Sequence, residues 1–137
     1  MSNNISSEFV LVLFPSCYKH WNYIENVFNE EFDVLDKRKI KLMNQEIFNF
    51  VHCLYKDELW IGNGSDDWKG LRFKIKSCFP KNEQKVELFY IKATIDEVQQ
   101  LKIRIRKYCG CGNHSIHSVD EEDRVKEILV RYFNPII

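Results

Sequence analysis

Hydrophobic and polar positions follow a regular pattern over the first half of the chain. Residues 9–14 form a continuous apolar run, and its length and β-branched content predict a buried central strand. Between residues 18 and 32 the apolar side chains recur at spacings of three and four, which predicts an amphipathic helix. Residues 32–42 are then expected to form a second strand, and a further apolar stripe ending at Tyr55 predicts a second helix.

The middle of the chain opens with a loop rich in Gly and Asp, residues 60–70. Residues 71–79 alternate apolar and basic side chains, which predicts a half-exposed strand. Residues 86–91 predict one more strand, so we expect residues 71–91 to form a hairpin.

Two helices are predicted in the last third of the chain. A capping box that begins at Thr94 predicts a helix over residues 95–108. Residues 109–119 are then expected to form a loop. Asp120 directly precedes a second amphipathic stripe over residues 121–133, and we interpret it first as the N-cap of that helix.

The predicted order of elements is β-α-β-α-β-β-α-α. The chain has 137 residues, a length that suits one domain. A small antiparallel sheet covered on one face by helices is the natural arrangement for such an order. We therefore expect a flexible N-terminus, residues 1–7, followed by a single α+β domain, residues 8–137.

Composition narrows the classes of partner. Twenty acidic and twenty basic residues cancel, which argues against bulk binding of nucleic acid or of an anionic membrane surface. The apolar run near the N-terminus is too short for a signal peptide or a membrane span. Five cysteines, an odd number without a secretion signal, are expected to be reduced thiols of a cytoplasmic protein.

The segment of residues 102–120 carries the most distinctive chemistry. Arg104 precedes His117 by thirteen residues, Asp120 follows it by three, and glycines and serines surround the histidine. Histidine changes its protonation state near neutral pH, and a turn before a helix can present backbone amides to an anion. The segment therefore predicts phosphate chemistry at His117.

Basic side chains cluster just before this histidine. Lys102 and Arg106 share one face of the predicted helix, whereas Arg104 lies on another with Lys107 nearby. A phosphate clamp is the functional interpretation of the cluster. For Lys102 and Lys107 a solvated helix face is the preferred interpretation.

These residues resemble a motif of the nucleoside diphosphate kinases. The family has the signature Asn-x-x-His-Gly-Ser-Asp, which here is similar to the run from His114 through His117 to Asp120. The family also has a Thr-Ile-Arg segment thirteen residues before its histidine, and the run from Lys102 to Arg104 stands at that distance. The resemblance implies a ferredoxin-like α+β fold and a phosphotransferase or phosphohydrolase that acts on a nucleotide through a loop histidine.

Carried over by position, the resemblance implies a role for several residues. His117 would accept the phosphate, Arg104 would clamp the phosphates of a nucleotide, and Glu127 would orient the histidine, with Asp120 beside it. The substrate would be a nucleotide with Mg²⁺, and a homo-oligomer is left open. Three further residues are expected to bind substrate: Asn113 and His114, which stand near the signature asparagine, and Tyr55, which resembles an aromatic residue beside the site.

Two departures from the family support a second hypothesis. Phe14 stands where the family has a lysine before the first-strand proline, and the long loop that precedes Thr-Ile-Arg is absent. The alternative is a non-catalytic nucleotide-binding or protein-interaction domain.

A third hypothesis is a zinc-stabilised interaction module. Four potential ligands fall within nine residues, and their types suit zinc: Cys109, Cys111, His114 and His117. Their spacing matches no common structural zinc motif, so no metal ligand is assigned.

Overall fold

The computed structural model describes residues 5–80, 84–110 and 112–133. Strands and helices follow the order β-α-β-α-α-β-α-β-α, with short 3-10 turns between some of them. Their bounds are β1 Ser6–Leu13, α1 Trp21–Glu31, β2 Asp33–Lys41, α2 Asn44–Tyr55, α3 Lys69–Cys78, β3 Lys85–Thr94, α4 Ile95–Cys109, β4 Ile116–Val119 and α5 Glu122–Ile128.

The predicted central strand is confirmed. The sheet has four strands in the order β2-β3-β1-β4, and β1 pairs antiparallel with β3 on one side and with β4 on the other. Residues 10–14 have no solvent exposure. A strand buried on both faces needs apolar side chains at consecutive positions, which explains why this run does not alternate.

Helices cover both faces of the sheet, rather than the one face expected from the sequence. Successive β1 side chains point to opposite faces. Phe9, Leu11 and Leu13 belong to a core with α1 and α4, while Val10 and Val12 belong to a core with α2, α3 and α5. The expected class, a single α+β domain with an antiparallel sheet covered by helices, is confirmed.

Helix α4 begins where its sequence predicts. The Thr94 hydroxyl accepts a hydrogen bond from the Glu97 backbone N–H at 3.2 Å, and the Glu97 carboxylate accepts one from the Thr94 N–H at 2.8 Å. The two bonds satisfy helix-end donors that would otherwise be unpaired. Gly110 ends the helix with φ of 74°, a conformation that glycine adopts without a steric cost.

The predicted strand over residues 71–79 is wrong, and with it the hairpin over residues 71–91. This segment forms α3. Its buried residues are Leu71, Lys74 and Cys78, which have helical spacing, whereas Phe73 is 66% exposed. The alternation of apolar and basic side chains suggested a strand because it counted Phe73 as a core residue. In the structure Phe73 is exposed, so the alternation does not follow burial.

The predicted loop over residues 109–119 contains the strand β4. This edge strand has only four residues, two of them polar, so it gives no clear apolar pattern. The expected N-cap at Asp120 is also wrong, because Glu121 caps α5 by accepting a hydrogen bond from the Asp123 N–H at 3.1 Å. After α5 the chain continues as a wider π-helical turn, Leu129–Phe133.

The expected boundary between a flexible N-terminus and the domain falls partly within the described residues. Residues 1–4 of the predicted flexible segment lie outside the described residues, and Ser6 and Ser7 belong to β1, opposite Thr94 and Ala93 of β3. Among the helices that the structure describes, none has the length and apolar content to cross a membrane.

Two carboxyl groups, one buried and one half-buried, lie between α1 and the sheet. Glu87 of β3 is 1% exposed, and its neighbour Glu25 of α1 forms an ion pair with Lys39 at 3.4 Å. Burial, together with the hydrogen bond and negative charge of Glu25, raises the pKa of Glu87 to about 8. Glu87 therefore retains its proton at neutral pH.

This pair predicts a pH-dependent stability. The unfolded Glu87 carboxyl ionises near its ordinary pKa of 4.5, while the folded one stays protonated up to about 8. Between these values the unfolded state binds fewer protons, so Glu87 should lower the free energy of unfolding as the pH rises, by at most about 1.4 kcal/mol per pH unit. In Glu87→Gln this contribution should disappear.

The measurement is urea unfolding from pH 4.5 to 8.5, with the exposed Glu30→Gln as control. The difference in unfolding free energy between Glu87→Gln and wild type should grow with pH, whereas the Glu30→Gln difference should stay constant. A Glu87→Gln difference that does not change with pH would contradict a protonated Glu87.

Candidate functional site

A cavity of about 730 Å³ opens between α2, α3 and the segment before β4. Its size is suited to a small organic ligand. Aromatic side chains form one part of the wall, and basic and imidazole groups form another. The lining residues that matter chemically are Tyr55, Trp60, Phe73, Lys69, Lys74, Arg106, Asn113, His114, His117, Glu58 and Asp66.

Strand pairing positions His117 at this cavity. In β4 the residue lies opposite Val12 of β1, and Val119 lies opposite Val10. Directly opposed residues share a face of the sheet, so His117 points toward α2. Its ring centroid is 4.5 Å from that of Tyr55, at an interplanar angle of 47°. His117 is therefore held by a strand, not by the loop that the sequence suggested.

The end of α2 that carries Tyr55 is anchored to α5. Arg124 is 9% exposed, and its Nη1 donates to the carbonyl oxygen of Leu54 at 3.1 Å. Its Nη2 forms an ion pair with Asp57 at 2.5 Å. These bonds satisfy a carbonyl group at the helix end and fix the position of Tyr55 beside His117.

His117 is held in its neutral form. Burial, together with the positive charges of Lys102, Lys74 and Arg106, lowers its pKa to about 3. A neutral imidazole has an unprotonated nitrogen whose lone pair can attack an electrophile or accept a proton.

Lys74 of α3 is a buried cation in the cavity wall. The residue is 5% exposed, and its Nζ donates to the Asn113 carbonyl oxygen at 2.8 Å. It also lies 3.1 Å from His114 Nδ1 and 5.4 Å from the centroid of the Tyr55 ring. Burial lowers the pKa of Lys74, and burial together with the charge of Lys74 lowers the pKa of His114.

Three predicted substrate-binding residues thus meet at the cavity, where they contact Lys74. Tyr55 contributes its ring, His114 its Nδ1, and Asn113 its backbone carbonyl group. Lys74 itself was missed, because residues 71–79 were predicted to be a half-exposed strand. Its helical spacing from the apolar Leu71 was the available signal.

Arg106, rather than Arg104, lines the cavity. Its Nη2 donates to the Ile116 carbonyl oxygen at 3.4 Å, and its buried Nε has no hydrogen-bond partner among the described residues. Arg104 instead forms an ion pair with Glu31 of α1 at 2.8 Å, beside a different surface depression. Arg104 and Arg106 are two residues apart in α4, so their side chains point in directions that differ by about 200° around the helix axis.

The predicted carboxylates lie in different surroundings from those expected. Glu127 forms ion pairs with Lys56 at 2.9 Å and with Arg131 at 3.4 Å, and it is not among the residues that line the cavity. The hydrogen bond from Lys56 lowers its pKa. Asp120 and His117 both line a second, smaller cavity of about 200 Å³.

No zinc cluster is assembled by the residues that the structure describes. Within residues 5–80, 84–110 and 112–133, no three His, Cys, Asp or Glu side chains are grouped closely enough to hold a metal ion. Cys109 packs against the core of α1 and α4, whereas His117 contacts Tyr55 of α2. Cys111 lies outside the described residues.

Mg²⁺ is a different case, because it is usually held by one or two carboxylates together with the phosphates of a substrate. Glu58 and Asp66 are the carboxylates of the cavity lining. The Asp66 carboxylate accepts hydrogen bonds from the backbone N–H groups of Asn63 at 2.9 Å and Trp68 at 3.1 Å. The two carboxylates are therefore suitable ligands for a Mg²⁺ ion that binds together with a phosphate group.

Two solved structures share this fold. A nucleoside diphosphate kinase from Halobacterium salinarum, in complex with CDP, superposes with a TM-score of 0.54, 11% sequence identity and coverage of 96% of this chain and 90% of that chain. One from Aquifex aeolicus gives a TM-score of 0.54 at 8% identity, covering 91% of this chain and 93% of that chain. The chain has the nucleoside diphosphate kinase fold. No family model and no curated protein matches its sequence.

One wall of the cavity depends on Gly70 of α3. A Cβ atom at this position would lie 1.8 Å from the Trp60 carbonyl oxygen, so the Trp60 segment can contact α3 only because Gly70 has no side chain. We expect Gly70→Ala to push this segment away and to lower the free energy of unfolding by about 1–3 kcal/mol.

Gly64→Ala is the matched control, since a Cβ atom there would have no neighbour within 4 Å. Urea unfolding, followed by Trp fluorescence, measures both variants. Equal stability of Gly70→Ala and Gly64→Ala would contradict the close contact.

The electrostatics of His117 predict a titration that NMR can follow. Because its folded pKa is about 3, the imidazole signals of His117 should not shift between pH 8 and pH 5. In urea-unfolded protein the same side chain should titrate near about 6.5. The depressed pKa should contribute stability that is present above pH 6.5 and is lost as the pH falls toward 3. A folded-state midpoint near 6.5 would contradict the neutral imidazole.

Proposed function

We propose that this protein binds the phosphate end of a nucleotide in the cavity and transfers a phosphoryl group through His117. The observation that supports this most strongly is a neutral histidine in a cavity that also contains the cationic side chains of Lys74 and Arg106. The similarity of fold to nucleoside diphosphate kinases agrees with the proposal. A fold alone does not establish an activity.

The proposed step is an in-line displacement. The unprotonated imidazole nitrogen attacks the terminal phosphorus, and a nitrogen–phosphorus bond forms. The bond between that phosphorus and the bridging oxygen breaks, and its electron pair leaves with the shortened nucleotide. An acceptor oxygen then attacks the phosphohistidine and releases the imidazole.

Neutralisation of the negative charge on the phosphoryl oxygens would account for most of the catalytic effect. Phosphoryl transfer depends mainly on positioning and on cations that stabilise the equatorial oxygens. Lys74 and Arg106 are available for this, and the low-dielectric surroundings that lower the pKa of His117 also strengthen such interactions. Mg²⁺, when bound with the nucleotide near Glu58 or Asp66, would supply further positive charge to the phosphates.

A second candidate is nucleotide binding without transfer. What favours it is the engagement of Arg104 and Glu127 in ion pairs with Glu31, Lys56 and Arg131, since these were the residues expected to assist the histidine. In that case the cavity would retain its affinity for a nucleotide but would not form a phosphohistidine.

The two candidates differ in whether the protein becomes labelled. Wild type and His117→Gln are incubated with γ-labelled ATP and Mg²⁺, and acid-labile, base-stable label on the protein is counted. Glutamine keeps a neutral amide in place of the ring and has no nucleophilic nitrogen. We expect label on wild type and at least a roughly hundredfold loss in His117→Gln.

His52→Gln is the matched control, because His52 lies in α2 against Phe48 and Trp68 and is not part of the cavity lining. It should label as wild type does. Equal label on His117→Gln would refute His117 as the carrier. Nucleotide binding by calorimetry without any label on wild type would instead establish the second candidate.

A further inference from the structure

One lysine of the chain differs from the others in its surroundings. Within residues 5–80, 84–110 and 112–133, Lys74 is the only lysine that is buried, and it forms no ion pair with an Asp or Glu of those residues. Burial lowers its pKa, and the charge of Arg106 acts in the same direction. A larger fraction of Lys74 is therefore the neutral amine than of a lysine in water.

The amine of Lys74 can be reached by a ligand, because the residue lines the cavity of about 730 Å³. In its neutral form a lysine amine has two N–H groups and one lone pair. Two acceptors lie near its Nζ, the Asn113 carbonyl oxygen at 2.8 Å and His114 Nδ1 at 3.1 Å. These acceptors can take both N–H groups, so the lone pair remains available to a group in the cavity.

His114 is placed to move protons to and from this amine. Burial and the charge of Lys74 lower the pKa of His114, so its imidazole is neutral at pH 7. Its Nδ1 lies within hydrogen-bond distance of the lysine Nζ. An imidazole at that distance can take a proton from a reacting amine and return it to a leaving oxygen.

The remaining cavity wall indicates the class of ligand. Three aromatic side chains line it, those of Tyr55, Trp60 and Phe73. The centroid of the Tyr55 ring is 5.4 Å from the lysine Nζ. Rings in a cavity favour a flat aromatic ligand, and the guanidinium of Arg106 can pair with an acidic substituent on it.

We propose that Lys74 is a nucleophilic amine that forms an imine with an aromatic aldehyde bound in this cavity, with His114 as its proton relay. Lysine amines in apolar pockets or beside another cation are suited to this reaction. The inference goes beyond the proposed function, because it involves neither His117 nor a phosphoryl group.

The step begins when the amine lone pair attacks the carbonyl carbon and a carbon–nitrogen bond forms. The carbonyl π electrons move to the oxygen, which takes up a proton, while the nitrogen loses one to His114 Nδ1. The carbon–oxygen bond then breaks, and the hydroxyl group leaves as water with the proton that His114 returns. The nitrogen loses its second proton to solvent, so amine and aldehyde give imine and water without an oxidant or reductant.

The probe is 4-formylbenzoate, an aromatic aldehyde with an acidic substituent. Sodium cyanoborohydride reduces any imine to a stable secondary amine, and mass spectrometry of peptides locates it. In folded wild type at pH 7 we expect Lys74 to be labelled at least roughly tenfold faster than the exposed Lys76 of the same helix. In urea-unfolded protein the two rates should agree within about twofold.

Three variants test the assignment. Lys74→Met should reduce the total label to that of the exposed lysines, whereas the matched Lys76→Met should retain the fast label. His114→Gln should slow the labelling of Lys74 by roughly tenfold or more and leave Lys76 unchanged. The comparison of lysines within the wild-type protein does not depend on how any variant folds.

Equal labelling of Lys74 and Lys76 in the folded protein would overturn the nucleophilic lysine, as would fast label on the half-buried Lys102 instead. Unchanged labelling of Lys74 in His114→Gln would reject the proton relay. Phosphohistidine formation is a separate result. Selective label on Lys74 without any phosphohistidine would retain the imine and reject the transfer, and phosphohistidine with equal lysine labelling would do the reverse.

Discussion

Burial of β1 on both faces is the constraint on which the rest of the structure depends. Because helices lie on both sides of this strand, its side chains belong alternately to two separate cores. Its antiparallel pairing with β4 sets the register that puts His117 opposite Val12. A shift of that register by one residue would turn the histidine toward α1 and α4, away from Tyr55. The position of the candidate site is thus a consequence of how the central strand is packed.

The elements with strong, simple patterns could be predicted from the sequence, whereas two with mixed patterns could not. The apolar run of β1 and the capping box of α4 each have one physical interpretation. Helix α3 was missed because its exposed Phe73 and buried Lys74 reverse the usual relation between polarity and burial. In the site, the rings of His117 and Tyr55 lie 4.5 Å apart, and both were named as site residues from the sequence. Arg104 was named as well but does not line the cavity, because its selection by spacing along the chain ignored the rotation between successive residues of a helix.

Helices α3 and α4 contribute the basic side chains of Lys74 and Arg106 to the cavity, and strand β4 contributes the neutral His117. Both depend on the same low-dielectric surroundings, which disfavour the charged form of Lys74 and of His117. For the histidine this keeps a lone pair available. For the lysine, burial lowers the pKa at a position where an apolar side chain would pack without that cost.

The outer edge of the sheet has its own consequence. Strand β2 pairs with β3 on one side only, and none of its nine residues is fully buried. The strand carries three consecutive basic residues, Lys37, Arg38 and Lys39, and its pairing register with β3 shifts between Val34 and Asp36. Charges and bulges of this kind prevent a free strand from adding to the sheet of another molecule. The long free edge of β2 is thereby protected from pairing with a strand of another molecule.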